Sequence, residues 1–179
     1  GLIEGAAQGQ GLGTQFLRHL SRTRVILHLV EVKPLDESSP LDNVELIEKE
    51  LAEYSSAMSE RESWIVLTKI DEVDESEIEA VLLDFKSKFP DRRIFSISAM
   101  ADLGLEELKA KVMTELALMD ARLKDETDYQ AKMKNLEKRI SEDVLFRSNM
   151  ERESIVRAKE VAGLEDESDG EPEVIYVKD

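Results

Sequence analysis

WIVLTKID, Trp64 to Asp71, decides the fold. Four large apolar residues run without interruption and then give way to Thr68, Lys69, Ile70 and Asp71. A run of this length is too short for a helix and too apolar for a strand with one wet face, so it reads as a strand buried on both sides, the pattern of a parallel sheet. The next segment is helical. Ile78, Val81, Leu82, Phe85 and Phe89 form an apolar stripe at helical spacing, and Pro90 stops that helix before RIFSI, Arg93 to Ile97, supplies another strand.

The same alternation extends in both directions. Upstream, VILHLVEV (Val25 to Val32) is rich in branched residues and reads as a strand. The helix after it has a marked start: Ser39 caps it, Pro40 suits its first position, and Asp42 completes an S-x-x-D box. Its stripe is Val44, Ile47, Leu51, Tyr54 and Met58. Downstream, Leu105, Leu108, Val112, Leu116, Met119 and Leu123 mark a third helix, with Met113 and Met119 assigned to its stripe rather than to a soft ligand site. Strand, helix, strand, helix, strand, helix predicts an α/β fold with a parallel sheet and right-handed crossovers.

Beyond about residue 124 the character changes. Residues 125–162 are helix-permissive and heavily charged, with scattered apolar positions Leu136, Ile140, Leu145 and Ile155, and predict an exposed helical extension that docks only in part. Residues 163–179, GLEDESDGEPEVIYVKD, carry seven acids against one lysine and predict an acidic disordered tail. At the other end, residues 1–13 hold five of the eight glycines, Gly1, Gly5, Gly9, Gly11 and Gly13, which points to a mobile or ligand-facing loop. Their spacing matches no phosphate-cradling pattern, and GxxxxGK[ST] does not occur in the chain.

Composition removes whole classes of function. A net charge of −16 opposes nonspecific binding to a nucleic-acid backbone. With no cysteine there is no disulfide, thiolate nucleophile or cysteine zinc site, and two histidines, His19 and His28, leave little for a histidine metal centre. His28 sits inside an apolar strand and reads as packed, as does Trp64. The acids Asp71, Glu72, Asp74 and Glu75 lack EF-hand spacing and read as charge at a helix start. No metal site is assigned. With no apolar run of about 18 residues, the expectation is a cytoplasmic monomer without a membrane span.

Ligands of open parallel sheets bind beyond the carboxyl ends of the strands. Two of those ends are informative: Thr68-Lys69-Ile70-Asp71, and Ser98-Ala99-Met100 within SISAM. The pair resembles the guanine-recognition loops of Ras-like GTPases, NKxD and SA[KLM]. In that likeness an ionised Asp71, an acceptor-only group, takes both donors of guanine, N1–H and the N2 amine, which adenine does not offer. Lys69 would lay its methylene stem over the base plane with its ammonium among polar groups. That likeness implies that the Ala99 N–H meets guanine O6 while Ser98 braces the loop. Thr68 departs from the usual asparagine, and its shorter side chain implies weaker support for the base edge or for the neighbouring loop.

With those loops in place, the opening GLIEGAAQGQGLGTQFLRHLSRTRVILHLVEV resembles the segment of Obg (CgtA) family GTPases that lies after their D-x-P-G motif, with Gly1 as the last glycine of that motif and the glycine-rich loop as the second switch. The likeness spans Gly1 to about Leu123, and an acidic extension is also similar to proteobacterial members. It implies a partial G domain over 1–124, the C-terminal half of a Ras-like P-loop GTPase domain. The P-loop and the Mg2+ ligands would lie before Gly1, so these residues alone are expected to bind GTP or GDP poorly and to hydrolyse none. It also implies a parent that hydrolyses GTP slowly, Leu2 standing where Ras-like enzymes commonly have glutamine, and that acts as a switch on the ribosome or a large-subunit precursor. No catalytic residue is assigned. The alternative expectation is a non-enzymatic α/β module whose acidic helix and tail bind a partner.

Overall fold

The computed structural model describes residues 19–162. Gly1, the glycine-rich opening and the acidic tail lie outside the described residues. Within them the chain runs β1 (Val25–Glu31), α1 (Pro40–Tyr54), β2 (Glu62–Thr68), α2 (Glu75–Lys88), β3 (Ile94–Ser96), α3 (Leu105–Asp125) and α4 (Thr127–Ala162). The three strands form one parallel sheet in the order β1-β2-β3, so the expected alternation holds. Its register sets His28 opposite Ile65, Glu31 opposite Thr68 and Val66 opposite Phe95.

Side-chain alternation along β2 builds two cores at once. Ile65 and Leu67 pack with Val30 and Val32 under Val44 of α1 and Phe85 of α2. Trp64 and Val66 face the other way and pack with Ile97 and Leu108 of α3. All four β2 residues are fully buried, as a central parallel strand requires.

The helix starts arise from local chemistry. Ser39 Oγ accepts from the Asp42 N–H at 3.3 Å with Pro40 in the first turn. Asp74 caps α2 in a reciprocal box, accepting from Glu77 N–H at 2.9 Å while Glu77 accepts from Asp74 N–H at 3.1 Å. Two expectations change here. The α1 stripe breaks before Met58, which sits fully buried in a 3-10 turn, Met58–Glu60, because α1 ends at Tyr54. Met113 is 66% exposed and so lies off the α3 stripe, one position past the inward-facing Val112.

The extension docks along one face. Leu136 and Ile140 of α4 are buried in a third cluster with Ile26, Leu51, Tyr54, Ala57 and Met58, flanked by Met133 and Val144. Met133, Leu136, Ile140 and Val144 form a narrow seam along one helix face, which an average over a charged segment conceals. Polar contacts flank that seam: Ser55 Oγ donates to Asp143 Oδ2 at 2.5 Å, Arg139 pairs with Glu60, and Arg147 donates to the Glu53 carbonyl. Leu145 is exposed, as expected. Among the described residues no helix is long and apolar enough to cross a membrane.

Candidate functional site

The carboxyl ends of β1, β2 and β3 converge on the two loops singled out by their sequence. Main-chain bonds stitch them together: Ile97 N–H donates to Leu67 O at 2.8 Å, and Ile70 N–H donates to Ile97 O at 3.3 Å. Thr68 closes β2. Its hydroxyl donates to Val30 O at 3.2 Å, and its carbonyl accepts from Val32 N–H at 3.2 Å, so this threonine braces the β1–β2 junction. Lys69 then takes a left-handed backbone, φ 59° and ψ 37°, an uncommon conformation for a residue with a side chain. The turn Ile70–Glu72 comes next, closed by Glu72 N–H to Lys69 O at 3.0 Å, and leaves the Asp71 carboxylate exposed.

The second loop is a tight ring. Ser98 N–H donates to Leu103 O at 3.0 Å and Leu103 N–H donates back to Ser98 O at 2.9 Å. Ser98 is fully buried, and its Oγ accepts from Ala101 N–H at 2.9 Å. Ala99 follows Ser98 in an exposed position, and Met100 stands out further at the exposed tip. The ring closes at Gly104, whose φ of +71° and whose approach to Ser96 O both exclude a side chain: a Cβ there would lie 2.4 Å from that oxygen. Thr68, Lys69, Ile70, Asp71, Ser98, Ala99 and Met100 therefore belong to one linked pair of loops. Gly1 is outside the described residues.

Charge at the site is arranged by a residue neither motif contains. Lys69 Nζ lies 2.6 Å from Oε1 of Glu31, the last residue of β1. The Glu31 hydrogen bond, ahead of the more general pull of Glu31, Glu72 and Asp71, holds the Lys69 ammonium above the ordinary lysine value. Glu31 and Gly104 both escaped the sequence reading. An acid ending an apolar strand was visible, but only the parallel register sets it beside Thr68.

His28 has no place in this chemistry. Burial first, and the Arg92 guanidinium second, lower its pKa from 6.5 to about 4, so it is neutral near pH 7 and poorly suited to proton transfer there. No protein-family model matches the chain.

Proposed function

We propose that this chain is the base-recognition half of an Obg-type guanine-nucleotide-binding domain. The single observation that carries the reading is the stitched pair of loops: an exposed acid, Asp71, just beyond a braced strand end, held against a small-residue loop, Ser98 to Met100, by the Ile70–Ile97 bond. An exposed carboxylate beside a rigid loop suits a ligand edge that presents adjacent donors, and guanine is such an edge. One face of β1 supports the reading too. Val25–Glu31 has the composition of a strand covered on both faces, yet Leu29 is 62% exposed, which fits a face that further units of a full-length GTPase cover. In that protein GTP hydrolysis would be slow, and the bound nucleotide would switch a cytoplasmic interaction with the large ribosomal subunit or its precursor.

The test is a competition titration of GTP, XTP and ATP on the full-length protein. Asparagine at position 71 presents one acceptor and one donor of nearly the same shape, so Asp71→Asn loses guanine and gains xanthine, whose C2 carbonyl accepts from the new amide. The loss is about one to two orders of magnitude in GTP affinity, from unsatisfied groups at about 1–3 kcal/mol each. A variant that still prefers GTP over XTP removes Asp71 from base reading. It would favour the second reading, an interaction module, which the exposed Leu145, Phe146 and Met150 of α4 support.

A further inference from the structure

Three contacts tie the end of β1 to the TKID loop, and each involves a different residue: the Val30 carbonyl, the Val32 amide and the Glu31 carboxylate. The first two fix backbone. The third fixes a side chain, and that makes it different in kind. The left-handed backbone of Lys69 settles where its stem begins, while Glu31 Oε1, 2.6 Å from Nζ, settles where it ends. A lysine stem loses much rotamer freedom when it is immobilised, so a stem already held at both ends meets a ligand with part of that cost removed.

We propose that Glu31 is a positioning residue for the purine ring: by gripping the Lys69 ammonium it draws the methylene stem into a preformed apolar shelf that the face of the base covers. The idea rests on the guanine-binding reading above. The shelf and Asp71 divide the work. Methylene groups under a ring do not sense which atoms lie on its edge, so Glu31 sets affinity for every purine nucleotide, whereas Asp71 sets the choice among them. Both side chains of the pair are 39% exposed, which keeps it a rim contact of modest strength.

The experiment measures GTP and XTP binding to the full-length protein carrying Glu31→Gln, Glu31→Asp, Lys69→Met, Glu31→Gln with Lys69→Met, and Asp71→Asn. Glu31→Gln is expected to weaken both nucleotides by about two- to fivefold with their ratio unchanged, the range open to an exposed ion pair. Glu31→Asp recovers part of the loss. The double variant binds no more weakly than Lys69→Met alone, because the carboxylate acts only through the ammonium. In the 179-residue chain itself, an NMR titration of the Lys69 side chain is expected above the ordinary lysine range and lower in Glu31→Gln.

A purely structural role for Glu31 would give additive losses in the double variant, and that result overturns the proposal. So does undiminished GTP binding by Glu31→Gln, or a Lys69 titration that ignores the substitution. If Asp71→Asn keeps its preference for GTP, the guanine reading has failed and the shelf falls with it. If Asp71→Asn switches to XTP while Glu31→Gln changes nothing, only the shelf is lost.

Discussion

Replacing Ile140 with alanine removes three carbon atoms from a side chain that is 1% exposed and enclosed by Tyr54, Met58, Leu136 and the rest of the third cluster. Transfer of those atoms costs about 2.4 kcal/mol at about 0.8 kcal/mol per methylene, before any cavity contribution. The surroundings have little room to collapse, since Tyr54 ends α1, Met58 lies in the turn before β2, and both are almost fully buried. Against this, alanine is the better helix former by a few tenths of a kcal/mol. The expected net loss is about 2–4 kcal/mol, or roughly 5–15 °C in Tm for a chain of this size. Urea unfolding monitored by tryptophan fluorescence reads it directly. Trp64 is the only tryptophan, is fully buried in the α3-side cluster, and stacks near Phe95 at 5.3 Å, so its signal reports the sheet and not α4 itself. Leu145→Ala, at a position 63% exposed on the same helix, is the control and should stay within about 0.5 kcal/mol of the parent. Equal, small effects at both positions, or far-UV loss of α4 well before the fluorescence transition, would refute the docking argument.

Two further outcomes test other parts of the molecule. Because the His28 pKa is about 4 folded and 6.5 in its ordinary state, the unfolded chain binds the extra proton between those values; stability therefore rises with pH there, and the penalty grows as pH falls from 6.5 and is complete below 4. The shift corresponds to no more than about 3 kcal/mol, reduced by partial exposure, and His28→Leu should flatten that part of a stability-against-pH curve; an unchanged slope would show that His28 is not the titrating group. Gly104→Ala must accept a positive φ and push against Ser96 O, so it should cost about 1–3 kcal/mol in thermal unfolding. An unaltered Tm would mean that the ring does not depend on glycine there.

Local chemistry wrote the order of elements into the chain. Uninterrupted apolar runs named the strands, Ser39 and Pro40 began α1, Pro90 came just after the end of α2, and Thr68 to Asp71 and Ser98 to Met100 fell at strand ends, all within a few residues of each signal. Such signals are short-range because caps, proline and periodicity act on adjacent turns of backbone. Three matters were settled only in three dimensions. Parallel pairing of distant strands set Glu31 beside Thr68 and gave Lys69 its partner. Gly104 became indispensable only where the chain folded back against Ser96 O. And α4, whose charged sequence predicted an exposed helix docked only in part, found a cover for Leu136 and Ile140 in α1 and the turn before β2, far earlier in the chain. A sparse apolar seam has no value by itself; it becomes core when distant elements supply the surface it buries, and that surface exists only in the folded chain.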